Sequence, residues 1–462
     1  MGAVAGLCAQ AGHEVRGSDG PLYPPMSSLL AELGIPRAEG YRAENLDWGP
    51  DLLVLGNTCK ADHVELAAAR ARGLRVVSFP ELLAERFLDG RKVLVVAGTH
   101  GKTTTTSLLA HLLVDAGLDP GYLVGGIPAN FGRSFALGRA PWFAIEGDEY
   151  DAACFDKRPK FVHYRPHLAI LTSVEFDHAD IYPTMADVER AFAALVERIP
   201  PEGGMLVCAD YEPAIRLAHA SRGRVERYAV RAQRAALGDL GELEWTGTFT
   251  DLGRGRHALE VWHDGRPFGR FEVGLVGAHN MANVLAVVAT GHRAGLTPEV
   301  LARGLSRFGG VKRRQEVRGR VRGVTVIDDF AHHPTAIRET LRALRGVHGD
   351  GRLIAVFEPR SATSRRNVFQ QDFPAALAEA DETLLAPLFA PEKIAEAERL
   401  DVARVVTDLE ARGRSAALLP TPEAMVEKLV REGRPGDTVV VMSSGGFGGL
   451  IEKLLAALGA TS

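Results

Sequence analysis

Long hydrophobic runs are missing from this sequence. No apolar stretch reaches the roughly 18–20 residues that a membrane-spanning helix needs, so no membrane partner is expected. Cysteine is scarce: Cys8, Cys59, Cys154 and Cys208 are the only four in 462 residues. They lie far apart, with no C-x-x-C and no Cys/His ligand spacing. That speaks against a disulfide scaffold or a structural zinc site and fits reduced thiols in the cytoplasm. Charge of one sign is not in excess either: 54 Lys and Arg against 58 Asp and Glu leave a net charge of −4. Neither a global basic field nor a basic stretch interleaved with aromatic residues points to nucleic acid. The apolar start, MGAVAGLCAQAGHEV, has no basic leading region and no cleavage pattern, so it reads as a helix and not as a signal peptide.

What is present is ordinary globular composition, 46% hydrophobic and 24% charged. At roughly 100–200 residues per domain the chain is too long for one core. Short apolar runs such as LLVLG (52–56) and RVVSF (75–79) alternate with helical patterns such as HVELAAARARG, which predicts parallel α/β structure. Charged turns at RFLDGR (86–91) and GGVKR (309–313) divide the chain into residues 1–88, 89–312 and 313–462. The expected architecture is three tandem α/β domains: Rossmann-like, a central phosphate-loop ATPase, and Rossmann-like again. Residues 243–275 alternate like antiparallel strands, with Asp264-Gly265 as a hairpin turn. At the start, a helix over 3–12, a strand at His13–Val15 and the turn GSDG (17–20) resemble a nucleotide-binding unit entered inside its helix. Asp19 stands where such a unit places its ribose-binding acid. The first strand and most of the phosphate-cradling turn are expected to be absent.

The strongest local signal is VLVVAGTHGKTTTT (93–106), a buried strand running through a glycine turn into a helix. Backbone N–H groups from Gly98 through Thr104 can cradle phosphates, Lys102 can reach the terminal ones, and the Thr103 hydroxyl can ligate Mg²⁺. The spacing is shorter than the usual phosphate loop, since position 96 is Val. A carboxylate turn, IEGDEYD (145–151), offers Glu146 as a Mg²⁺ ligand. Asp148, Glu149 and Asp151 read equally as a solvated acidic turn. SVEFDHADIY (173–182) places His178 among three acids, as a structural or a functional residue. GAHNMANVLAVVA (277–289) puts Asn280 and Asn283 on one helix face, where Asn280 either caps the helix or, with Asn283, meets a purine edge. The basic run KRRQEVRGRVRG (312–323) is a solvated face or supplies an arginine to a transferring phosphoryl group. In IDDFAHHPT (327–335) the adjacent histidines point differently and are not read as a chelating pair.

Together, GTHGKTTTT, EGDEYD, EFDH, GAHNMAN, KRR and DDFAHHP resemble the Mur ligase family of ATP-dependent amide-forming enzymes, in family order and over nearly the whole chain. SDGPLYPPMSSLL, FDKRPKFVHY, EFDHADIYPT, FEPRSAT and VMSSGGFGGL resemble the branch that recycles murein peptide. The resemblance implies that ATP phosphorylates the carboxylate of UDP-N-acetylmuramate and that the amine of a murein tripeptide attacks the acyl phosphate. It implies ATP and Mg²⁺ as cofactors. Gly98, Thr99, His100, Gly101, Lys102, Thr103 and Thr104 would contact the nucleotide, and Thr103, Glu146 and His178 the metal. Asn280 and Asn283 would lie at the adenine, Arg314 at the γ-phosphate and Asp329 at the ribose. Lys102, His178 and Arg314 would be catalytic. Arg360 and Ser361 would meet the peptide's carboxylates, and Ser18 and Asp19 the uridine nucleotide. Several family members carry a carbamylated lysine after the DH motif. Here residues 178–200 contain no Lys and Phe192 stands near that place, so the modification is not expected. Without the glycine-rich start, weak UDP binding is expected, and a start codon misplaced at an internal Met would account for it. A monomer or weak dimer is expected. The competing readings are the L-alanine-adding ligase of the same family and a non-catalytic sensor of UDP-sugar or ATP.

Overall fold

Residues Val93–Ala97 are apolar without interruption, the pattern of a strand covered on both faces. In the computed structural model, which describes residues 1–22, 26–234, 242–347 and 351–460, the strand Lys92–Ala97 lies deep in a ten-stranded sheet. Its even-numbered residues, Leu94 and Val96, enter one core with Leu108, Leu109 and Leu112 of the helix Lys102–Asp115 and Val284, Leu285 and Val288 of the helix Ala278–Arg293. Its odd-numbered residues, Val93, Val95 and Ala97, enter a second core with Val188, Phe192 and Leu195 of the helix Met185–Val196. That helix starts at a reciprocal capping pair, Thr184 with Asp187.

The strand Leu168–Leu171 pairs in parallel on one side of Lys92–Ala97 and Trp142–Glu146 on the other. The sheet continues through Gly204–Cys208 and Arg224–Arg231 into an antiparallel meander, Trp245–Gly253, Arg256–His263 and Arg266–Val273. Asp264 (φ +48°) and Gly265 (φ +73°) make the expected hairpin turn.

Beyond residue 312 a six-stranded sheet runs in the order Glu316–Val321, Val324–Asp329, Thr438–Met442, Leu353–Phe357, Glu382–Leu385, Ser415–Leu418. It is parallel except for its first strand and has a hydrophobic cluster on each face. The first part of the chain forms two separate parallel pairs, Gly17–Asp19 with Arg37–Glu39 and Leu52–Leu55 with Arg75–Ser78. The three tandem α/β regions expected from the sequence are therefore present. One element differs: His13–Val15 is not a strand, and the strand is Gly17–Asp19, inside the segment read as a turn. The hydrogen-bonding partner Arg37–Glu39 decides this, because register is set by a strand distant in sequence.

Candidate active site

The strands Leu168–Leu171, Lys92–Ala97 and Trp142–Glu146 are adjacent and parallel, so the loops that follow them open on one edge. In open α/β sheets that edge is where ligands bind. The loop 98–101 turns sharply enough to need glycine twice. A β-carbon on Gly98 (φ +132°) would fall 2.2 Å from Thr172 Oγ1, and one on Gly101 (φ +79°) 2.6 Å from Asn283 Oδ1. Gly101 then starts the helix Lys102–Asp115, leaving its N-terminal N–H groups toward the loop.

Lys102 Nζ donates to the carbonyls of Gly98 (2.6 Å) and Thr99 (3.2 Å) and to Glu149 Oε1 (2.9 Å). The same carboxylate oxygen lies 2.8 Å from His178 Nε2. Burial alone would lower the Lys102 pKa, but Glu149 and Glu146 outweigh it and hold the ammonium above its usual range. Burial likewise works against the charge on Glu149, yet Lys102 and His178 hold its carboxyl below the usual value. His178 is raised: burial opposes this, and the contact with Glu149 prevails. His178 also has a left-handed backbone (φ +56°), uncommon for a non-glycine residue, and packs its ring 4.3 Å from that of Tyr150. The solvated-turn reading therefore fails for Glu149, which is 2% exposed. Its neighbour Asp148 pairs with Lys160 at 2.6 Å, and Asp151 with Lys157.

Thr103 Oγ1 donates to Glu146 Oε1 at 2.9 Å and accepts from Arg314 Nη2 at 3.0 Å. Glu146 Oε2 accepts the Gly125 N–H at 2.7 Å, and burial raises the Glu146 pKa against the pull of Lys102. Arg314 reaches this point from the far side of residue 312, with its guanidinium 4.9 Å from the Phe330 ring centroid. Two further contacts join the same regions: Ala179 N–H to Thr363 Oγ1 at 3.0 Å, and Thr335 Oγ1 to Glu175 Oε1 at 3.2 Å.

Asn280 does not cap its helix. Gly277 holds the cap position, and Asn280 Nδ2 donates to the Val276 carbonyl and to Gln315 Oε1. Asn283 Nδ2 donates to Asn280 Oδ1 at 3.4 Å, so the two amides do share a face, and that face abuts Gly101. Asp329 spends both oxygens on backbone, Oδ2 on the Gln315 N–H and Oδ1 on the Ala331 N–H. Arg360 lies 3.7 Å over the Phe389 ring, with Glu358 3.5 Å away, whereas the Ser361 hydroxyl is engaged with Ser364. Ser18 and Asp19 belong to the first strand pair, where Asp19 Oδ1 accepts the Tyr41 hydroxyl (2.9 Å) and Ser18 Oγ the Asn45 amide. Thus Lys102 and His178 meet on Glu149, and Glu146 and Arg314 meet on Thr103, the residue next to Lys102 in the chain; Ser18, Asp19, Arg360 and Ser361 belong to neither group. Sequence reasoning left Glu149 as a solvated turn residue and passed over Gln315 and the pairing of His100 Nε2 with Glu175 Oε2 (2.6 Å). The available signal for Glu149 was its place in the acidic turn that follows the strand ending at Glu146, opposite the phosphate-loop lysine.

Three family models cover the chain: "Mur ligase family, catalytic domain" matches residues 1–89, "Mur ligase middle domain" residues 96–291, and "Mur ligase, glutamate ligase domain" residues 313–445. The chain belongs to the Mur ligase family. It is 40% identical over 460 residues to the UDP-N-acetylmuramate–L-alanyl-γ-D-glutamyl-meso-2,6-diaminoheptandioate ligase of Escherichia coli K12, covering 99% of this chain and 96% of that one. It is 35% identical over 463 residues to the UDP-N-acetylmuramate–L-alanine ligase of Salinispora arenicola, covering 100% of this chain and 86% of the relative. A crystal structure of a murein peptide ligase from Psychrobacter arcticus superposes with a TM-score of 0.72 at 34% identity, over 99% of this chain and 96% of that one.

Proposed function

We propose that this chain is an ATP-dependent ligase that joins the recycled tripeptide L-alanyl-γ-D-glutamyl-meso-diaminopimelate to UDP-N-acetylmuramate through an acyl phosphate. The observation that carries this reading is the 40% identity, over almost the full length of both chains, to the ligase of that name, against 35% to the alanine ligase. The geometry agrees with phosphoryl transfer, in which the protein mainly positions polyanions and neutralises charge. In this reading residues 1–88 hold the UDP-sugar, 89–312 the ATP, and 313–462 the peptide, with the third region completing the ATP site.

Mg²⁺ is implied by the reaction, and the residues fit it. Thr103 and Glu146 put two oxygens 2.9 Å apart beside the loop, and Glu149 Oε2 is buried without any hydrogen-bond partner. An orphaned carboxylate oxygen is what a cation would satisfy, and oxygen donors suit magnesium. Thr103, Glu146 and Glu149 would hold it, and His178, held protonated against Glu149 in this structure, would join them only on giving up its proton. Glu149 would supply the negative charge that a carbamylated lysine supplies elsewhere in the family, because Phe192 is buried against Phe161 with no polar atom. When bound, Mg²⁺ neutralises charge between the ATP phosphates and the acceptor carboxylate.

Lys102 would exchange Glu149 for a phosphate oxygen while the Gly98 and Thr99 carbonyls keep its position. Arg314, fixed on Thr103 and Phe330, would stabilise the transferring phosphoryl group. Asn283, pressed on Gly101, and Asn280 beside it would face the adenine. Arg360 would take a peptide carboxylate.

The test is ADP release with UDP-N-acetylmuramate and Mg-ATP, comparing tripeptide with L-alanine and weighing the product by mass spectrometry. Tripeptide-dependent release with little turnover of L-alanine is expected. Preference for L-alanine would assign the chain to the alanine-adding reaction, and silence with both amines would favour a sensor.

A further inference from the structure

A second set of metal-ligand side chains shares no residue with the Thr103, Glu146 and His178 group, although two of its members come from the same loops. His100 sits in the phosphate loop, Glu175 in the loop after Leu168–Leu171, and His333 just before the helix Pro334–Val347. One ligand atom from each lies within 4.8 Å of the others, and this is the one such trio of His, Cys, Asp or Glu among the described residues. His100 Nε2 is 2.6 Å from Glu175 Oε2, and the His100 and His333 rings are 4.5 Å apart.

The surroundings resemble those of a metal-binding histidine. His333 Nε2 faces the Phe176 carbonyl at 3.2 Å, and a carbonyl can only accept, so the ring proton sits there. Nδ1 is then the acceptor and takes the Thr335 N–H at 3.2 Å, a contact that a metal at Nδ1 would have to displace. Ligating histidines usually donate their other N–H to a carbonyl or carboxylate in this way. Glu175 is braced by the Thr335 hydroxyl on Oε1, leaving Oε2 toward His100. Burial pushes His333 down to about 3, so it is a neutral imidazole at neutral pH, the form that binds metals.

We propose that His100, Glu175 and His333 form a site for a transition-metal dication of the zinc class. Two imidazoles and one carboxylate suit Zn²⁺, Co²⁺ or Ni²⁺ better than Mg²⁺, which prefers oxygen. Zinc bonds of about 2.0–2.1 Å put tetrahedral ligand atoms about 3.3 Å apart, so side-chain rotations must draw the trio together. For His100 Nε2 to bind the metal its ring must carry the N–H on Nδ1, so metal entry requires that tautomer in place of the Nε2–H contact with Glu175, and a fourth position would stay open to water. Because His333 comes from beyond residue 312 and the other two precede it, a bound ion would fasten the third region onto the middle one. It would slow any turnover that requires the two to separate. The site is independent of which amine the enzyme uses.

The experiment is a Co²⁺ titration of the tag-free full-length protein in excess Mg²⁺, read by visible absorption. The expected result is a saturable tetrahedral d–d band at one equivalent, persisting in Mg²⁺, with Zn²⁺ displacing Co²⁺ and raising the melting temperature. His333→Asn and the isosteric Glu175→Gln should each weaken Co²⁺ binding at least tenfold, while Glu146→Gln should leave the band in place. If His333→Asn fails to fold, Glu175→Gln alone decides. No band, a band removed by Mg²⁺ or by Glu146→Gln, or a band unchanged in folded Glu175→Gln would overturn the site.

Discussion

Lys102 and His178 meet on one oxygen of Glu149, and the charge states of all three follow from that contact. Lys102→Ala should lower ADP release by about a thousandfold with the fold intact, since it removes charge stabilisation that grows in the transition state. A folded variant with near-normal release would remove Lys102 from the mechanism. Glu149→Gln tests the carboxylate directly. The imidazolium of His178 loses its main support against burial, so its pKa should fall. An NMR titration of the His178 ring in both proteins measures this, and an unchanged value would show that Asp177 and not Glu149 sets it. At this scale the sequence was informative for Lys102, Thr103 and Glu146 and left Glu149, inside the same acidic motif, as a solvated turn residue. Its role depends on two chain segments, 98–102 and 172–178, closing over an acidic turn that looks solvated in isolation. The same holds for His100, Glu175 and His333, which no local ligand spacing joins and only the fold brings together.

The loop 98–101 is held between two neighbours with no room to spare. Gly101→Ala would force a β-carbon to within 2.6 Å of Asn283 Oδ1 at a φ of +79°. A cost of about 1–3 kcal/mol is expected from a strained position of this kind. The melting temperature should drop and nucleotide affinity should fall with it. Full thermal stability in Gly101→Ala would show that the loop can relax. This element was legible because a buried strand, glycines and a helix follow each other within fourteen residues, and so was the Asp264-Gly265 hairpin. The Gly17–Asp19 strand was not. It has no apolar alternation, and only its parallel partner, from Arg37 to Glu39, makes it a strand. The cap of the helix Ala278–Arg293 stayed open in the sequence, between Asn280 as a cap and Asn280 at a purine edge, for a related reason. Gly277 takes the cap at φ +95° while Asn280 lies one turn in, turned back on the Val276 carbonyl.

Across the whole molecule, the middle and third regions meet through histidines that are kept uncharged. Loss of water around the His279 ring, with His100 nearby, pushes it down to about 4; burial pushes His333 to about 3 and also lowers His332. His279 stands beside Gly277, which abuts Ala343 of the helix Pro334–Val347, and its Nδ1 has no partner. In the unfolded chain these rings titrate near about 6.5. Between that pH and about 4 the unfolded state therefore binds protons that the folded state refuses, so stability is present above pH 6.5 and is lost on acidification. Glu175 and Asp177, which face His333 and His332, are both held below the usual carboxylate value despite burial. Their contribution is lost only lower, as pH falls through the carboxylate range, so the upper part of the window belongs to the histidines. His178 works the other way: its pKa is raised, so its contribution is present at low pH and fades as pH rises through the folded value. The expected outcome is a melting temperature that falls steadily from pH 7 to pH 4.5, with a larger radius of gyration by small-angle scattering before global unfolding. His279→Gln should flatten the upper part of that slope, because glutamine carries no proton to gain. A slope identical in the variant would show that the contact between the two regions does not depend on a neutral His279.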